Sequence, residues 1–129
     1  MKAVAIATLA ALALSTGFAL AEDYAGGAIM SAEIGGKEAL TDAKGMTLYT
    51  FDKDGPGVSN CYDKCAVNWP PAMAAADAKA EGDFTIIDRT DGTKMWAYKG
   101  KPLYLWIKDQ KPGDTTGDMV GEVWHTAYE

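Results

Sequence analysis

Two cysteines, one histidine and six methionines are the residues of this 129-residue chain whose side chains could carry redox or metal chemistry. The cysteines, Cys61 and Cys65, stand four apart. In an oxidising compartment such a pair predicts a disulfide, while as thiolates the same two sulfurs could bind copper or cycle as a dithiol. His125 and Met73, brought to the two sulfurs, would complete a soft-ligand copper site; read alone, the histidine caps a surface and the methionine fills the core. No C-x-x-C-H motif for covalent haem and no thioredoxin-type C-x-x-C is present, so no cofactor is required, copper and haem being the two the thiols leave open. Residues four apart on a regular helix hold their Cβ atoms about 6 Å apart, beyond the roughly 3.5–4.5 Å of a disulfide, so the segment reads as a loop.

The carboxylates offer a second candidate. Asp52, Asp54, Gly57, Asn60 and Asp63 follow the rhythm of a calcium-binding EF-hand loop, but Pro56 fills a ligand position and the closing residue is Asp rather than a bidentate Glu. A polar turn accounts for them better. With a single histidine, no Ser-His-Asp layout and no glycine-rich phosphate loop, hydrolysis, phosphoryl transfer and hydride transfer lack their parts, and no catalytic residue is assigned.

These residues are positioned by a chain that repeats itself. At an offset of 55, KGMTLYTFDKD (44–54) falls on KGKPLYLWIKD (99–109) without a gap, Asp63 falls on Asp118, Trp69 on Trp124 and Ala72 on Ala127. Identities at that density mark an internal duplication. Each copy reads as a β meander. Ile29 to Ile34, Glu38 to Thr41 and Met46 to Phe51 form the first; Phe84 to Asp88, Thr93 to Tyr98 and Pro102 to Ile107 form the second, with Gly and Asp at the turns. Tyr49 and Phe51 project to one side of their strand and Leu48 and Thr50 to the other, as do Tyr104/Trp106 against Leu103/Leu105. Strands apolar on both faces belong between two packed layers. The predicted fold is therefore all-β and mainly antiparallel, two tandem meanders (about 29–83 and 84–129) in one compact, sandwich-like domain spanning 22–129. Ala72 to Ala80, rich in alanine, is the one stretch predicted to form a helical turn or two.

Ahead of this unit, residues 1–21 place Lys2 before an apolar run ending in Ala19-Leu20-Ala21, the layout of a cleaved signal peptide and too short for a stable membrane span. Export to the periplasm or beyond follows, with no membrane insertion after cleavage. The formal charge is −6, with both signs interspersed, so no nucleic-acid or anionic-lipid partner is expected, and the partner is otherwise unread.

The pattern Tyr-x-aromatic-x-x-Asp occurs twice, as Tyr49-x-Phe51-x-x-Asp54 and Tyr104-x-Trp106-x-x-Asp109, and Cys61-Tyr62-Asp63-Lys64-Cys65-Ala66-Val67-Asn68-Trp69-Pro70-Pro71 follows the first. Together they resemble a family of bacterial secreted and lipoprotein chains that carry a tandem secreted repeat of unknown function, marked by a Y-x4-D motif and often by C-x3-C-A-x-x-W-P-P. The resemblance implies no established activity, and this chain lacks the lipid-bearing cysteine of many relatives. The tyrosines and tryptophans read first as core and the motif aspartates as turn-closing acceptors of backbone N–H groups. The leading expectation is a non-catalytic secreted or periplasmic binding module of unknown ligand. A periplasmic copper or electron-transfer protein using Cys61 and Cys65 is the alternative, and a cell-envelope structural protein the third.

Overall fold

Short runs of β-branched and aromatic residues, broken by glycine, fold into paired strands as the alternation demands. The computed structural model describes residues 22–129; the signal peptide read at 1–21 lies outside the described residues. Strands β1 (Asp23–Tyr24), β2 (Ile29–Ile34) and β3 (Lys37–Asp42) form one antiparallel sheet in that order. β4 (Tyr49–Phe51) and β8 (Trp124–Thr126) pair with each other, and β5 (Phe84–Asp88), β6 (Lys94–Tyr98) and β7 (Lys101–Pro102) form the third sheet. The architecture is all-β and antiparallel, and among the described residues it holds one short α-helix, α1 (Lys64–Asn68), besides two 3-10 turns.

The two copies exchange strands. After α1, residues 70–73 leave the first copy and lie on the second: Ala72 N donates to Leu103 O at 2.9 Å, and Trp96 N donates to Ala72 O at 2.8 Å. In return Ala127 N donates to Leu48 O at 2.9 Å and Leu40 N donates to Ala127 O at 2.8 Å. Between these crossings Tyr49 and Tyr104 exchange both backbone hydrogen bonds, 2.8 and 2.9 Å, so the two repeats meet back to back at equivalent residues. Burying these main-chain groups away from water requires the pairing, and each copy supplies the partners that the other lacks.

One slip separates the copies. A two-residue turn, Gly35-Gly36, joins β2 to β3, whereas 89–93 join β5 to β6. Leu40 therefore corresponds to Trp96 rather than to Met95, and a shorter turn at Lys99-Gly100 restores the alignment at Leu48/Leu103. Gly45 and Gly100 both hold φ of 84°, where a side chain is strained.

The expected two-faced packing is observed. Leu48 and Leu103 belong to a buried cluster with Ile29, Leu40, Ala72, Phe84, Trp96 and Ala127. Tyr49 and Tyr104, one residue along, belong to a second with Cys61, Trp69, Met95 and Trp124. Each fully buried large apolar side chain contributes about 1.5–3 kcal/mol relative to exposure. Helix is placed differently from expectation. The alanine stretch 72–80 is not helical: Ala72 and Met73 are drawn into pairing with the β6 sheet, and only an Ala78-to-Ala75 turn follows. The helical turn falls instead on 64–68, within the segment read as loop; Cys61 precedes it in non-helical backbone, which lets the two sulfurs meet.

Candidate functional site

The motif tyrosines and aspartates bond across the copies. Tyr49 Oη donates to Asp109 Oδ2 at 2.6 Å, and Tyr104 Oη donates to Asp54 Oδ2 at 2.7 Å. Both phenols are fully buried. Each aspartate also closes its own turn, as read from sequence: Asn60 N donates to Asp54 Oδ1 at 2.7 Å, and Thr116 donates to Asp109 Oδ1 through its N (3.0 Å) and Oγ1 (2.6 Å). Burial, then the carboxylate bond, pushes Tyr49 far above the ordinary phenol range. Burial does the same to Tyr104, its bond to Asp54 adding to the rise and Ser59 opposing it. Asp54 is itself raised by burial, against the lowering effects of Tyr104 and Asn60.

Against these phenols lies a continuous stack of four rings. Trp106 stacks on Trp69 with centroids 3.9 Å apart, Trp69 on Trp124 at 3.8 Å and Trp124 on Phe51 at 4.1 Å. Equivalent residues of the two copies thus interleave, Trp69 and Trp124 inside, Phe51 and Trp106 at the half-buried ends. Tyr49 meets Trp69 edge-on at 5.4 Å and Tyr104 meets Trp124 edge-on at 5.2 Å. Gly117 lets the chain close over the stack, since a Cβ there would sit 2.8 Å from Trp69 Cη2.

The candidate metal ligands do not converge. Cys61 and Cys65 are bonded to each other, S–S 2.03 Å, so neither sulfur is a free thiolate. His125 Nε2 lies 2.8 Å from Asp52 Oδ2 on the outer surface of the β4–β8 pair. Met73 is exposed beside β6, in a hollow lined by Trp96 and Ala78. Among the described residues no three His, Cys, Asp or Glu side chains are grouped to hold a metal ion. Two of the three carboxylates of the EF-hand rhythm are spent elsewhere, Asp52 on His125 and Asp54 on Tyr104 and Asn60.

Sequence reading passed over Arg89, the chain's sole arginine, whose side chain is buried at the end of β5. Its Nη1 donates to Ser59 Oγ and its Nη2 to the Cys61 carbonyl, both at 2.9 Å, and its guanidinium lies 4.2 Å from the Tyr62 ring centroid. Ser59 Oγ in turn is 2.6 Å from Tyr104 Oη, so a buried chain runs Arg89, Ser59, Tyr104, Asp54. The offset alignment places apolar Ile34 opposite Arg89, and that mismatch was the available signal.

Outside the core, two adjoining hollows of about 280 and 350 Å³ share Thr50, Asp52, Lys99 and Lys101. Phe51, Asp54 and Pro56 line one; Tyr98, His125 and Tyr128 line the other. Among the described residues neither Lys99 nor Lys101 has a carboxylate within 4.0 Å. The cleft combines two ammonium groups, a hydroxyl, an imidazole–carboxylate pair and aromatic faces.

Residues 31–73 and 85–128 each match the model of a protein family described as a secreted repeat of unknown function. No curated protein and no solved structure matches the chain significantly. Among the described residues no helix is long and apolar enough to cross a membrane.

Proposed function

This chain belongs to the family of secreted repeats of unknown function, and from that membership we propose that it is an exported, periplasmic or secreted, non-catalytic binding module whose ligand occupies the cleft beside β4 and the 98–102 turn. The family motif is consumed by the core, both tyrosines being fully buried, so recognition falls to residues outside it. The observation that carries the reading is the Lys99/Lys101 pair, two cations lining one cleft with no carboxylate partner among the described residues, on a chain of net charge −6. Such a pair favours an anion, and the surroundings favour one with hydroxyls and a flat face, such as an acidic saccharide: carboxylate to the lysines, hydroxyls to Thr50 and Asp52, ring against Phe51 or Tyr128. Catalysis is not part of the reading, because His125 is bonded to Asp52 and to no nucleophile among the described residues.

The test is a screen of uronate-bearing oligosaccharides by calorimetry against the mature protein and the Lys99→Ala/Lys101→Ala variant. Binding that is lost in the variant, at unchanged melting temperature, supports the cleft. Binding that survives the double substitution, or no binding across the panel, removes this reading.

A further inference from the structure

We propose that the aromatic stack and the two carboxylate-bound tyrosines form a one-electron relay, taking an oxidising equivalent at a half-buried end ring and holding it as a buried tyrosyl radical at Tyr49 or Tyr104. The proposal is independent of the cleft. It rests on three features that coincide at one place.

The first is overlap. Four rings follow one another at 3.9, 3.8 and 4.1 Å, closer than the roughly 4.5–7 Å usual for aromatic pairs. Trp69 and Trp124 are within 3° of parallel. Electron exchange between π systems falls steeply with separation, so face-to-face contact makes the three indoles one path running inward from Trp106 through Trp69 to Trp124, with Phe51 covering the far face of Trp124. The second is a terminus on each side, Tyr49 edge-on to Trp69 and Tyr104 edge-on to Trp124. The third is a proton acceptor already in place. A phenol gives up an electron readily only if its proton leaves with it, and Asp109 and Asp54 stand 2.6 and 2.7 Å from the two phenol oxygens. With both phenols fully buried, the proton has a defined destination that does not depend on solvent, and the radical is shielded from quenchers.

A one-electron oxidant, such as a high-valent metal complex or an inorganic radical, removes one electron from the Trp106 π system. Trp69 fills that hole. Tyr49 gives one electron to Trp69 while its O–H bond breaks and the proton moves to Asp109 Oδ2, leaving a neutral tyrosyl radical beside a neutral carboxylic acid. The net change is one electron lost to the oxidant. Reduction reverses it: a small one-electron donor returns the electron through the rings and Asp109 returns the proton. Tyr104 and Asp54 repeat the step through Trp124.

The experiment is visible-light flash-quench oxidation of the mature protein by a ruthenium polypyridyl complex with an irreversible quencher, followed by transient absorption and by electron paramagnetic resonance of frozen samples. The expected result is a tryptophan radical replaced by a tyrosyl radical. In the Tyr49→Phe/Tyr104→Phe variant the tyrosyl signal is lost and the tryptophan radical persists. Asp109→Asn in a Tyr104→Phe background slows tyrosyl formation about a hundred-fold or more, the usual worth of a positioned base. A parent protein that forms no tyrosyl radical, or a double variant that forms as much as the parent, overturns the relay. Should the double variant fail to fold, Tyr24→Phe/Tyr62→Phe/Tyr98→Phe/Tyr128→Phe, which leaves only Tyr49 and Tyr104, decides instead: unchanged tyrosyl yield supports the buried pair, and its loss assigns the radical to the surface and overturns the proposal.

Discussion

The two copies hold the same Tyr–Asp bond by different means. In the first, the loop between Asp54 and Trp69 carries the Cys61–Cys65 bridge and α1, and Arg89 reaches in to hold Ser59 and the Cys61 carbonyl. In the second, the loop between Asp109 and Trp124 has no cysteine: Thr116 grips Asp109 through two bonds and Gly117 N donates to Tyr49 Oη at 3.2 Å. One solution uses a covalent bridge and a buried cation, the other a hydroxyl and backbone amides. Since both deliver a carboxylate to the opposite tyrosine, the tyrosine, aspartate and stacked rings are the shared requirement and the loops are interchangeable supports.

The comparison breaks most directly at the rings. Trp69→Ala and Trp124→Ala each remove an inner member of the stack and should each cost about 3–5 kcal/mol, the usual range for a buried aromatic truncated to alanine. Because the residues are equivalent, urea unfolding should give the two variants similar losses. A large loss at one and none at the other would mean that the symmetry of the sequence is not carried into the energetics.

Next in size is the bridge. Replacing Cys61 and Cys65 by Ser should cost about 2 kcal/mol, as expected for so short a loop. The variant should keep its near-ultraviolet circular dichroism, because the second copy is built without a bridge. Loss of the folded signal would show that the two loops are not interchangeable.

A smaller effect tests the cross-copy bonds. Tyr49→Phe and Tyr104→Phe each leave a carboxylate oxygen short of a donor, and each also removes a second partner, that of Gly117 N or of Ser59 Oγ, at about 1–3 kcal/mol. Asp109 keeps both Thr116 bonds at its other oxygen, whereas Asp54 keeps only Asn60 N, so Tyr104→Phe should be the more damaging of the two. Equal losses by thermal unfolding would remove the asymmetry argued from the loops.

How much of this was legible in the sequence follows from what an offset can carry. Equal residues at equal spacing revealed the duplication, and alternation along 46–51 and 102–107 placed Leu48/Leu103 and Tyr49/Tyr104 on opposite faces, as found. An offset is silent on which copy a strand pairs with, so the exchange of 70–73 for 124–128 was not visible. Helix propensity misled at 72–80 because pairing of Ala72 with Leu103 and Trp96 outweighs the small intrinsic preference of alanine for helix. Arg89 went unread because a duplication directs attention to what is shared, and Arg89 occurs in one copy only. The cleft lysines failed for a different reason: Lys99 is the partner of Lys44 and looked like part of the repeat, yet its surroundings include His125, which replaces Pro70.

The smallest expected effect is electrostatic. Burial raises the folded-state pKa of Asp54 above its unfolded value of about 3.9, and for Asp54 the bond from Tyr104 holds that rise in check. Between the two values the folded protein binds more protons than the unfolded one, so this group's stabilising contribution is complete below the unfolded pKa and is lost as pH rises through the folded one. Removing the phenol in Tyr104→Phe takes away a lowering influence and widens that window, so the variant's stability relative to the parent should fall as pH rises above the unfolded value of about 3.9. At the alkaline end the sign is the same. Tyr49 and Tyr104 are raised well above about 10, so their contribution persists below that value and disappears as pH climbs toward the folded pKa. Phenolate absorbance should therefore show the buried pair ionising only together with unfolding, and each Phe variant should remove one phenol from that late step. If both phenols instead titrate in the folded protein alongside exposed tyrosines, the reciprocal bonds that define the shared core do not hold in solution.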